Sequence, residues 1–72
     1  MDPEELQSLE REVAKAKRKA CDWASKVHDL VEDRLLSSYE ELPALAASTV
    51  DACKTWAELN AQLVQAKKAL IV

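Results

Sequence analysis

The chain has no Gly and no Phe, and its aromatic residues are limited to Trp23, Tyr39 and Trp56. Without glycine there is no glycine-rich loop to cradle a phosphate. β-branched residues are also few, which argues against a sheet, whereas Ala is abundant, as in long, closely packed helices. No apolar run is long enough to span a bilayer, and the opening Met1–Glu10 segment is acidic rather than signal-like. A cytoplasmic protein is therefore expected. Charge of neither sign dominates: 10 basic and 13 acidic side chains leave a formal net charge of -3, with no general pull towards nucleic acid or anionic membrane. The two cysteines, Cys21 and Cys53, form no CxxC motif, so no zinc or iron–sulfur site is indicated. In a cytosolic chain they are expected as reduced thiols.

What the chain does have is regular spacing. Leu6, Leu9, Val13, Ala16, Ala20, Trp23, Val27, Leu30 and Arg34 recur at alternating intervals of three and four, and all but Arg34 are apolar. The second half repeats this with Leu42, Leu45, Thr49, Ala52, Trp56, Leu59, Leu63, Ala66 and Leu70. Each is an a/d stripe sustained over about four heptads, the signature of a helix that packs along one seam. Pro3 suits a first helical turn, Asp2 is placed to cap it, and Glu4 and Glu5 complement the positive end of the helix dipole.

The stripes predict one hairpin domain over residues 1–72: a helix over about 3–35, a turn over about 36–42 and a helix over about 43–70. Ser38 and Glu41 have capping-box spacing, so the second helix begins either there or, after a short turn, at Pro43. A short connection makes the helices antiparallel neighbours, pairing residues whose numbers sum to about seventy-two. Trp23 then faces Thr49, Trp56 faces Ala16, Val13 faces Leu59 and Val27 faces Leu45. Each large ring meets a small residue, which fills a core without voids.

The expected fold is all-α: a two-helix antiparallel, coiled-coil-like hairpin that oligomerises into a helical bundle. A single seam leaves Ala24, Val31, Leu35, Ala46, Val50, Val64 and the tail Ala69–Val72 partly wet. Ordering each residue costs about 1–2 kcal/mol, which one seam hardly offsets. Other copies of the chain are the simplest cover.

Three groups of residues are candidates for function. His28 and Glu32 share a helix face and could reach one divalent cation, with Asp29 and Asp33 beside them. Two ligands are too few, so symmetry in an oligomer, or Glu40 and Glu41 across the turn, would complete the set. Spacing alone favours the plainer reading of a solvated acidic helix end. Cys21 and Cys53 lie off the stripe on one flank at similar heights, and inert packed thiols are the plainer reading there too. Lys15, Lys17, Arg18 and Lys19 make the middle of the first helix basic. No aromatic interleaves them to stack bases, and Glu12 and Asp22 bracket them. Lys15, Arg18 and Lys19 thus read as a docking surface for an acidic protein ahead of an RNA-binding face like that of the plasmid protein Rop. No residue set supplies nucleophile, base and oxyanion donors together, so no enzyme is expected.

The stretch from Val27 to Trp56 adds a family resemblance. His28-Asp29-Leu30-Val31-Glu32-Asp33, then Tyr39-Glu40-Glu41-Leu42-Pro43-Ala44-Leu45-Ala46-Ala47, then Thr49-Val50-Asp51-Ala52 resembles the Rop-like family of short hairpins found in nitrogen-fixation gene clusters. The chain departs from it at Val50, where an aromatic is usual. The resemblance implies a non-enzymatic accessory protein of nitrogen fixation, acting on a nitrogenase component or on assembly of its iron–molybdenum cofactor. Some members are labelled metalloproteins, which makes His28 and Glu32 the first choice as ligands of a divalent transition metal, with Asp29 and Asp33 second.

Overall fold

The computed structural model describes residues 2–71, with side chains as far as Ala69. Helix α1 spans Pro3–Asp33, a single-turn helix α2 spans Leu35–Ser38, a 3-10 turn covers Tyr39–Glu41, and helix α3 spans Leu42–Ile71. The two long helices pack antiparallel as a rod of 54 × 14 × 14 Å. Its radius of gyration, 16.3 Å, exceeds the about 11 Å of a compact chain this long.

α1 begins as its sequence dictates. Asp2 is extended at φ -79°, ψ 167° and accepts a hydrogen bond from the Glu5 backbone N–H at 2.9 Å, while Pro3 occupies the first turn. The side chains withdrawn from water in α1 are those of the predicted stripe from Leu6 to Leu30; its remaining residues are exposed. α3 follows the same rule from Leu42 to Ala66, joined by half-buried Ser48 and Asn60. Leu70, Ile71 and Val72, expected in or beside the second stripe, lie outside the described side chains. Thr49, the polar member of the seam, donates its hydroxyl back to the Leu45 carbonyl at 2.8 Å, so its polar atom is satisfied.

Register follows the expected pairing. Leu9, Leu63 and Ala66 form a buried cluster, with Leu6, Val13 and Leu59 packed against it. At the turn end Leu30 is fully buried, with 0% of its surface accessible. Elsewhere the seam is thin: Trp23 and Trp56 are only half-buried.

The connection differs from a simple loop over residues 36–42. α1 stops at Arg34, whose backbone takes φ -135°, ψ 19° while its N–H bonds the Leu30 carbonyl at 2.9 Å. A helical turn follows, and Ser38 repeats the same conformation at φ -133°, ψ 18°. The capping box suggested by Ser38 and Glu41 does not form, since the Ser38 side chain makes no cap bond. Helix α3 starts at Leu42 with Pro43 in its first turn, close to the second of the two starts the sequence allowed. Arg34 explains the polar end of the first stripe. Its carbonyl accepts from the Ser38 N–H at 2.8 Å and the Ser37 hydroxyl at 3.3 Å. Its guanidinium lies 3.7 Å from the Glu41 carboxylate.

The hairpin has two unlike flanks. Helical spacing puts Ala14, Lys17, Cys21, Ala24, His28, Val31 and Leu35 of α1 in one row, continuing the row of Glu10. The matching row of α3 holds Ala46, Val50, Cys53, Ala57 and Val64, and ends at Lys67. Lys67 Nζ stands 3.8 Å from Glu10 Oε1, which fixes both rows on the same side. This flank is mostly apolar and exposed, with Val31, Val50 and Val64 at 47%, 50% and 42% accessibility. The opposite flank carries Glu12, Lys15 and Lys19 against Ser48, Asp51 and Thr55.

Candidate functional site

The His28 cluster sits on α1 about one turn before the Arg34 break. His28 Nε2 lies 2.9 Å from Glu32 Oε2, the i, i+4 neighbour that helix geometry delivers. His28 Nδ1 is 3.6 Å from Asp29 Oδ1, too long for a hydrogen bond but close enough for attraction if the ring is protonated. The structure thus sets His28 beside Glu32 and, at longer range, beside Asp29. All three are open to water, with side-chain accessibilities of 70% for His28 and 62% for Glu32. Among the described residues no three His, Cys, Asp or Glu side chains gather closely enough to hold a metal ion. Glu41 turns instead to Arg34, so it is not free to complete a set. His28 belongs by spacing to the apolar flank, on its outer edge, and Glu32 lies further out.

Cys21 and Cys53 are free, exposed thiols on that same apolar flank. The two rows place them near the middle of the rod, one on each helix.

The basic run stays together. Lys15 and Lys19 line the groove between α1 and α3, and both also border a shallow surface on the outside of α1 with Lys17, Arg18, Cys21 and Asp22. The docking residues read from sequence thus share one basic surface that reaches from the groove round the outside of α1. The groove itself, with a volume of about 470 Å³, is a feature sequence reasoning missed. Ala16 and Ala52 form its floor, and Trp23 and Leu59 border it. The signal was present in the stripes, where Ala16, Ala20 and Ala52 put small residues within one turn of each other on both helices. Lys26 Nζ, which has ion-pair spacing to Asp22, lies over the Trp23 ring, 4.4 Å from its centroid.

These features define a class: a two-helix antiparallel hairpin whose exposed flanks, rather than an enclosed pocket, are available for chemistry or contact. The family model described as Rop-like matches residues 4–68, nearly the whole hairpin, and the chain belongs to the Rop-like family. No curated protein and no solved structure gives a significant match. Among the described residues no helix is long and apolar enough to cross a membrane.

Proposed function

We propose that the protein is a non-enzymatic accessory factor of nitrogen fixation, working in the cytoplasm. It would bind a nitrogenase component or the machinery that assembles the iron–molybdenum cofactor. The observation that carries this reading is membership of the Rop-like family over residues 4–68, joined to the His28–Ala52 segment that resembles members from nitrogen-fixation gene clusters. The build of the molecule supports it, since recognition by surfaces needs only a rigid rod with distinct flanks.

Self-association is part of the proposal. The accessible surface is 5528 Å², against about 4,500 Å² for a compact globule of the same mass. The excess is of the order that one partner contributes to a stable interface, about 800 Å². The apolar flank is the surface a second copy would cover, because it exposes Val31, Val50 and Val64. The polar flank is then left for the partner protein.

Affinity purification from a nitrogen-fixing cell tests the main reading. Co-elution of a nitrogenase subunit or cofactor-assembly protein is the expected result. If neither co-elutes while fixation is under way, the proposal fails.

One observation favours a second reading, a metal carrier or sensor. The 2.9 Å approach of His28 to Glu32 places an imidazole and a carboxylate where one divalent cation could bind both. A second copy seated on the apolar flank would bring further donors alongside. The site then exists only in the oligomer.

A further inference from the structure

The groove on the polar flank has a floor and two walls of different chemistry. Ala16 on α1 and Ala52 on α3 lie about one helical turn apart along the rod, and their small side chains leave the space between the helices open. Trp23 and Leu59 border this apolar floor. The α1 wall presents the ammonium groups of Lys15 and Lys19 with Glu12 one turn before them, whereas the α3 wall presents Ser48, Asp51 and Thr55. Both walls are rigid helices.

We infer that this groove is the docking site for an amphipathic helix of the partner protein, with an apolar knob over Ala16 and Ala52. The helix would present carboxylates along the edge facing Lys15 and Lys19, and basic groups along the edge facing Asp51. The inference rests on the proposed partner-binding function and specifies the site and the chemistry of the partner. A helix laid in the groove replaces water over the alanines with an apolar side chain, and turns the hairpin into a local three-helix bundle. Because Lys15 and Lys19 stand across the groove from Asp51, exchanging the partner's edges would set its basic groups against both lysines and a carboxylate against Asp51. The groove therefore fixes which face and which direction of the helix it accepts. A second copy is served better elsewhere, since the chain's own apolar residues off the seam gather on the opposite flank.

The test uses two designed peptide helices of about 20 residues, long enough to span some 30 Å. Both carry the same Leu knobs; one has Glu on the Lys-facing edge and Lys on the other, and its counterpart has the edges exchanged. Binding is read from the Trp23 indole Nε1–H resonance of the full-length protein. The matched peptide is expected to shift that resonance saturably and to bind at least about tenfold tighter than its counterpart, a difference of about 1.4 kcal/mol. The exposed substitutions Lys15→Glu and Lys19→Glu, made together, should reverse the preference, and circular dichroism reports whether the variant keeps its helix content. Equal affinity for both peptides, or an unchanged preference in the folded double variant, overturns the inference. So does a Trp23 shift that grows with protein concentration alone, which would mean that a second copy fills the groove. The designed peptides make the result independent of what co-purifies from cells, so failure of the groove and failure of the nitrogen-fixation reading are told apart.

Discussion

Leu9, near the start of α1, and Leu63, in the last third of α3, are buried in one cluster at the open end of the hairpin. Their pairing fixes the register of the whole rod, because each later stripe position then follows at helical spacing. Leu63→Ala removes three heavy atoms from that cluster and is expected to cost about 2–4 kcal/mol. The midpoint of urea unfolding followed by circular dichroism would measure it. A loss below about 0.5 kcal/mol would place Leu63 outside the seam.

Leu30 and Leu36 make a sharper comparison, since they are alike in type and close in sequence. Leu30 is 0% accessible and Leu36 is 91% accessible. Leu30→Ala should destabilise by about 2–4 kcal/mol, whereas Leu36→Ala should stay within about 0.5 kcal/mol. Equal effects in the same unfolding assay would contradict the placement of the Arg34 break.

The stripe, the antiparallel pairing, the Asp2 cap and the residue flanks can all be read from sequence, because each rests on periodicity or on a local side chain. The turn was harder to read. Ser38 and Glu41 have the spacing of a capping box, yet the backbone bends at Arg34 and at Ser38 through nearly identical dihedrals instead. Both bends keep φ negative, as do all the other described residues, so neither glycine nor asparagine marks the place. The groove was missed for a related reason. Small residues at Ala16 and Ala52 look like ordinary core alanines until both helices are placed side by side.

Asp2→Ala should cost about 1 kcal/mol, because the Glu5 N–H loses its side-chain acceptor at the positive end of the helix dipole. Asp2→Asn should restore most of that loss by keeping the acceptor. Thermal unfolding of the three proteins at one concentration is the measurement, and equal midpoints would remove the cap from the account.

Val50 lies half-exposed in the middle of the apolar flank. If a second copy covers that flank, Val50→Lys buries an unpaired charge on association and should raise the dissociation constant at least about tenfold. Analytical ultracentrifugation reads this directly. Labelling of Cys21 and Cys53 should speed up over the same dilution range, since both thiols lie on that flank. A wild-type chain that sediments as a folded monomer at micromolar concentration would remove self-association from the proposal.

His28→Ala separates the metal reading from the packing. The side chain is 70% accessible and its partner Glu32 is 62% accessible, so the pair contributes little to folding. Stability should change by less than about 0.5 kcal/mol. On the metal reading, stoichiometric divalent metal in the purified oligomer is lost with His28, as measured by elemental analysis. Metal content unchanged by the substitution would sink that reading and leave the protein-binding proposal standing.

The bends at Arg34 and Ser38 carry one further consequence. Neither is locked by a left-handed residue, and the three residues between them are already helical. Rotating two backbone positions into ordinary helical dihedrals would open the rod into one rail of about twice the length, kinked at Pro43. Such a rail has lost its own partner arm but keeps both halves of the zip, so two rails laid antiparallel would recover the same seam between molecules. A chain without glycine thus folds back on itself through two backbone bends and the proline that follows them.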